Sequence, residues 1–222
     1  MLFPRRSSSR LLALCLRVVL VLIALVTLAT SALALTAIER DFDGLVARAE
    51  TIFKGTVTAQ ESLWTGEGPN RHIVTRVTFQ VLDTYKGAAA SSQTLEFLGG
   101  TVAGVTLAVP DMPKFALGET AVLFVVGNGV QLCPLVGAYQ GRFPVQRDAA
   151  TASGERVFTH DGNPVVDTAL VGQTNETTGA PKLRAYRNSG ANSAVSSDAF
   201  KEAITAKLRE RKAKGLAEVL RE

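Results

Sequence analysis

The chain has 222 residues, with 24 basic and 20 acidic side chains, a formal charge of +4 and two cysteines. The first 34 residues hold Arg5, Arg6, Arg10 and Arg17 and no acid, so the remainder is formally neutral and no overall basic surface for nucleic acid is expected. Cys15 also lies in this leader, which leaves Cys133 alone and excludes an intramolecular disulfide in the rest of the chain.

The leader reads as an export signal. Its arginines precede an uncharged stretch beginning at Val18, and Ala32-Leu33-Ala34 is the small-x-small pattern that signal peptidase accepts, so cleavage is expected after Ala34. Carried on to Ile38, the uncharged run reaches about 20 residues and would also span a bilayer if it stayed attached. Cys15 precedes the apolar stretch, whereas a lipidated cysteine comes just after it.

Residues 43–50 predict a short helix, with Asp43 as its cap. Over 51–63, Phe53, Gly55, Val57, Ala59 and Leu63 recur with period two and predict a long strand. Gly66, Gly68, Pro69 and Asn70 mark a turn. The next stretch, 71–85, places Ile73, Thr75, Val77, Phe79 and Val81 on one face of a second strand, with Leu82 out of step as at a bulge. Further strands are expected at 93–98, 102–109, 120–126 and 130–136. Because Val122-Leu123-Phe124-Val125-Val126 does not alternate, that strand should be covered on both faces. Strands at this spacing predict a mainly β fold, a small closed or partly open barrel. The strand pattern fades after Val145. The expected organisation is a signal peptide at 1–34, a barrel domain at 35–146, an irregular extension at 147–196 and a C-terminal amphipathic helix at 197–222. In that helix Phe200, Ile204 and Leu208 repeat every fourth residue, and Leu216, Val219 and Leu220 resume the apolar face. Its basic run from Lys207 to Lys214 reads as a solvated face.

No zincin motif, phosphate-binding glycine loop, nucleophile elbow or metal-spaced cysteine pair occurs, so no catalytic residue, metal or cofactor is expected. The two histidines, His72 and His160, would have to converge on an acid to serve a hydrolase or a metal-dependent enzyme, which is the competing reading. Cys133 sits in an apolar run and reads as a small buried hydrophobe. Trp64 reads as a cover for the barrel's open end or as a binding anchor, and Met112 and Phe115 as floor or as contact surface. Asn175-Glu176-Thr177 fits a glycosylation acceptor by chance.

Several segments together resemble a group of exported bacterial proteins with a β-barrel core. They are Ala49-Glu50-Thr51-Ile52-Phe53-Lys54-Gly55-Thr56-Val57, Tyr85-Lys86-Gly87, Gly99-Gly100, Pro110-Asp111-Met112-Pro113-Lys114-Phe115, Gly118-Glu119-Thr120-Ala121-Val122-Leu123-Phe124 and Gln140-Gly141-Arg142-Phe143-Pro144-Val145. More distantly, Lys54-Gly55-Thr56-Val57 and the strand closing in Tyr85-Lys86-Gly87 resemble the opening of netrin-like domains, which include the tissue inhibitors of metalloproteinases. The resemblance implies an OB-like barrel that acts by binding. The inhibitors' amino-terminal Cys-x-Cys is replaced by Leu35-Thr36-Ala37, so their zinc-ligating mechanism does not carry over.

The expectation is therefore a non-catalytic binding module, periplasmic or extracellular, whose partner is a protein or a polysaccharide. Trp64, Arg71, His72 and Arg76 are its candidate contact residues. A membrane-anchored structural envelope protein is a further alternative, with membrane contact only if the leader is uncleaved. Mass spectrometry of the exported chain is expected to find Leu35 as its first residue; an intact leader would instead mark the anchored form.

Overall fold

The computed structural model describes residues 40–149 and 154–219, so the leader with its expected cleavage site, and Leu220, lie outside the described residues. It shows a mainly β chain with one short helix before the strands and one long helix after them. Helix α1 (Phe42–Arg48) starts at Asp41 rather than Asp43: the Asp41 carboxylate accepts from the Gly44 N–H at 2.8 Å, which satisfies one of the free donors of the first turn. Asp43 falls inside that turn. The Lys86 ammonium donates to Val46 O at 2.8 Å and Ala47 O at 3.1 Å, closing the other end of the helix.

Strands β1 (Thr51–Thr65), β2 (His72–Lys86), β3 (Ser92–Leu98), β6 (Thr120–Val125), β7 (Arg142–Arg147) and β8 (Glu155–Val157) form one antiparallel sheet in the order β3-β2-β1-β6-β7-β8. The register of β1 against β2 skips Thr58, Leu82 and Tyr85. Each skipped residue is an extra one that bends and twists its strand, and Leu82, the residue out of step in the sequence, is one of them. Inner positions Phe53, Val57, Val77 and Phe79 are buried, as their alternation predicts. The expected Ala59 is exposed, because the skip at Thr58 breaks the period of two at that point.

The sheet does not close: β3 and β8 are its outer strands and no ladder joins them. Other chain segments cover the edges. On β3, the Asn128 side chain accepts from Glu96 N–H at 3.1 Å and donates to Thr94 O at 2.8 Å, and Leu98 N–H donates to Leu132 O at 2.9 Å. On β8, Val157 N–H donates to Val195 O at 3.1 Å and accepts at its carbonyl from Val165 N–H at 3.1 Å. Covering an edge in this way satisfies backbone groups that would otherwise invite another chain.

Two strand expectations are corrected. In place of one strand at 102–109 stands a tight hairpin, β4 (Gly100–Val102) and β5 (Val105–Leu107), because Ala103 and Gly104 both take positive φ, +49° and +83°, as a two-residue turn requires. The 130–136 stretch is a loop: Gly127 and Gly129 turn the chain, Val130 is 88% exposed, and only Leu135 bridges to Val125. Strands β7 and β8 carry little signal, since Pro144 interrupts β7 and β8 has three residues.

Strand β6 separates two cores. Val122 and Phe124 point into one, with Phe42, Leu45, Ile52, Phe143 and Val157; Ala121, Leu123 and Val125 point into the other, with Phe53, Phe79, Leu95 and Phe97. The double coverage expected from its unbroken apolar run is thus present. The first core also buries Val165, Val171 and Leu183, so the segment after β8 packs on the sheet. Helix α2 (Ser197–Val219) docks through Phe200 and Ile204, both fully buried, each contributing about 1.5–3 kcal/mol of gross burial. Leu208 is partly buried, but Leu216 is 62% exposed, so its amphipathic face does not resume as expected; the side chain of Val219 lies outside the described residues. The basic run is largely paired, with Arg211 on Asp43 at 2.8 Å and Lys207 and Lys214 on Glu210 at 3.1 and 2.7 Å. Among the described residues no helix is long and apolar enough to cross a membrane.

Phe124 meets the rings of Phe42, Phe143 and Phe200 with centroids 6.3, 5.4 and 6.4 Å away. Phe124→Ala is expected to lower unfolding free energy by about 3–5 kcal/mol in urea titration. Leu216→Ala, on the exposed part of α2, should stay within about 0.5 kcal/mol of the parent.

Candidate functional site

The sheet's second face carries a cleft of about 430 Å³ between β1 to β3 on one side and β4, β5 and the 108–115 segment on the other. Its floor is a hydroxyl relay. Thr75 Oγ1 donates to Gly99 O at 2.7 Å and lies 2.9 Å from Ser62 Oγ. A threonine hydroxyl has one proton, so Ser62 is the donor to Thr75 and keeps its own lone pairs for another group.

The backbone makes room for this floor at two consecutive glycines. Gly100 has φ +138°, and a Cβ there would lie 2.5 Å from both Ser62 Oγ and Thr75 Oγ1. Gly99, at φ +103°, would place one 2.9 Å from Leu107 O. Only glycine accepts both the torsion and the approach.

The apolar walls come from Val77, Phe97, Leu107, Val109, Met112 and Phe115. Phe115 packs edge-on to Phe79 at 5.3 Å and tilted to Phe97 at 5.2 Å, with the Arg142 guanidinium 4.9 Å above its ring. Arg142 is itself held by Glu119 at 2.5 Å, and Glu119 accepts from Ala116 N–H at 3.1 Å, so the loop bearing Phe115 is tied down at its base. Gln60 Nε2 donates to Phe115 O at 2.7 Å from the β1 side. Met112 and Phe115 pack on the second core and also line the cleft. Lys114 is the one titratable residue of the lining.

The four candidate contact residues divide between two sides. Trp64 lies directly across from Ile73, with the Arg71 guanidinium 4.6 Å over its ring, and is 36% exposed outside both cores. Strand alternation puts Trp64 on the same face as Ser62 and the cleft, and His72 on the opposite face. His72 Nδ1 sits 2.7 Å from Asn70 O, and Arg76 Nε donates to Glu96 at 3.0 Å. The structure therefore stacks Arg71 on Trp64, which shares the cleft's face of the sheet without lining the cleft, and leaves His72 and Arg76 apart from both. Ser62, Thr75 and Gly100 carry the floor and are not marked as a site by the sequence; the adjacent glycines are the available signal.

The histidines do not meet. His72 borders a hollow shared with Glu96 and Leu132, while His160 stacks on Tyr139 at 4.2 Å in a separate pocket with Arg40, Gln140 and Asp161. Among the described residues no three His, Cys, Asp or Glu side chains gather as a metal site would need. Cys133 packs on the second core, and burial pushes its thiol up to about 11, so it stays a neutral thiol at ordinary pH.

Burial, helped by the Arg142 charge, lowers His160 below its ordinary range, against an opposing pull from Asp161. The folded chain thus favours neutral imidazole, and below about pH 6.5 the unfolded chain binds more protons. Stability is therefore expected to fall as pH drops through that point towards the folded value, and His160→Gln should flatten the slope of urea midpoint against pH. No protein-family model matches the chain, and a search of curated proteins finds no match.

Proposed function

We propose that this chain is an exported, non-catalytic binding module that recognises a protein or polysaccharide partner through the cleft beside Trp64. The observation that carries the reading is the lining itself: hydroxyl floor, apolar walls, a tied-down aromatic and a single titratable side chain. Such a surface orients and desolvates a ligand but holds no acid and base pair to move protons. The export signal of the leader supports a periplasmic or extracellular place of work.

We further propose that the coiled sheet is a partly open OB-like barrel, as the netrin-like resemblance implies. The β1-β2-β3 meander, with β1 also paired to β6, supports this, and so does the dry interior of Phe53, Phe79, Leu95, Phe97 and Leu123. The enzyme alternative rests on two histidines that line different pockets.

Trp64 is the chain's single tryptophan and stands on the cleft's face, so its fluorescence is a native reporter. Titration with envelope polysaccharide fractions and with exported proteins is expected to shift its emission for one of the two classes. Thr75→Val, which removes the floor hydroxyl and leaves both glycines in place, should weaken the binding that causes that shift about fivefold. A saturable shift of unchanged affinity in the Thr75→Val variant would show that the cleft floor is not the site.

A further inference from the structure

Three stretches of sheet edge differ in what covers them. The β3 edge is occupied by Asn128 and Leu132, and the β8 edge by Val165 and Val195. The near half of β1 pairs with β6 from Thr51 to Thr56, and Val57 exchanges hydrogen bonds with Glu119 O at 2.8 Å and Gly118 N–H at 2.9 Å. From Ala59 to Thr65, β1 pairs only with β2.

The direction of the uncovered groups is set by the ladder. Ile73 O accepts from Gly99 N–H at 2.8 Å and Val81 N–H donates to Ser91 O at 2.9 Å, so odd-numbered residues of β2 turn their backbone groups towards β3 and its connections. The even-numbered Val74, Arg76 and Thr78 turn theirs towards Leu63, Glu61 and Ala59. That leaves the N–H and C=O groups of Gln60, Ser62 and Trp64 pointing off the sheet, about 7 Å apart along the strand. Among the described residues none of them has a hydrogen-bond partner.

We propose that this edge receives an extended polypeptide segment as an added strand, with an apolar side chain of the segment entering the adjoining cleft. The backbone groups identify the occupant: alternating donors and acceptors at strand spacing are matched along their length by another backbone, whereas a sugar chain has no such repeat. The side chains of Gln60, Ser62 and Trp64 stand on the cleft's face, so an added strand and a filled cleft belong to one binding event. The free lone pairs of Ser62 Oγ give the incoming segment an acceptor, and Val77, Phe97 and Phe115 give its side chain a dry wall. This assignment rests on the binding-module reading and narrows its partner to a peptide.

The test uses the exported chain as cells process it, isotope-labelled, with peptides of about twelve residues selected from a random library against it. In the free protein, amides of Gln60, Ser62 and Trp64 are expected to exchange with solvent much faster than those of Glu61 and Leu63. Saturation with a selected peptide should slow the first three by about tenfold or more and shift the Met112 and Phe115 signals. Ser62→Pro removes one outward N–H and should weaken the peptide about tenfold; the exchange pattern of the parent decides the matter if that variant does not fold. Peptides that shift Met112 and Phe115 without slowing the three amides would overturn strand addition and leave the cleft reading standing. Failure to select any peptide overturns strand addition also, with the polysaccharide arm of the cleft reading still measured by Trp64 emission. Slow exchange of the three amides in the free protein, relieved on dilution, would make a second copy of this chain the occupant and sink the proposal.

Discussion

The fold depends on β6 being apolar on both faces. A strand that alternates can leave one face to water, but Val122 and Phe124 on one side and Leu123 and Val125 on the other are all buried, so each side must be supplied with a layer. One layer is built from α1, α2 and the segment after β8. The other is built from Phe53, Phe79, Leu95 and Phe97 of the sheet together with the loops beyond β5. In the first layer the rings of Phe42, Phe143 and Phe200 all gather on Phe124, so the helices at the two ends of the described chain are joined through this one strand.

The skipped residues of the long hairpin shape the second layer. Skipped residues at Thr58, Leu82 and Tyr85 bend the long hairpin, so the near half of β1 stays with β6 while its far half leaves the core. The far half then needs its own cover on one face, and the β4-β5 hairpin and the 108–115 segment supply it incompletely. The cleft is the space they leave. Its shape is held by two glycines at torsions other residues avoid, and by the Arg142 and Glu119 pair beneath Phe115. A site whose walls are fixed before a ligand arrives loses little order on binding.

The contrast among the edges has the same origin. The edges of β3 and β8 are closed by the chain's own groups, Asn128 imitating a strand residue with both ends of its amide. The exposed stretch of β1 has no such cover. An unpaired edge is a hazard for aggregation as well as an opportunity for recognition, and here it coincides with a preformed cleft and the chain's single tryptophan.

The local features were legible. Period two over 51–57 and 73–81 exposed the inner faces of β1 and β2, the unbroken run at 122–126 announced burial on both sides, and Leu82 out of step announced a bulge. These signals depend only on which side of a strand each residue occupies, a property the chain sets locally. The apolar stretches at 102–109 and 130–136 misled because hydrophobic content reports neither backbone sign nor burial: Ala103 and Gly104 turn the chain where a strand was expected, and Val130 and Leu132 stand in solvent in a loop. The cleft was beyond reach for a different reason. Ser62, Thr75 and Gly100 come from three segments, and what joins them is register and a close backbone approach, quantities that exist only once the sheet is assembled. The same holds for the helix end: Leu216 has the right spacing to continue an apolar face, but α2 has by then run past the core it would have met.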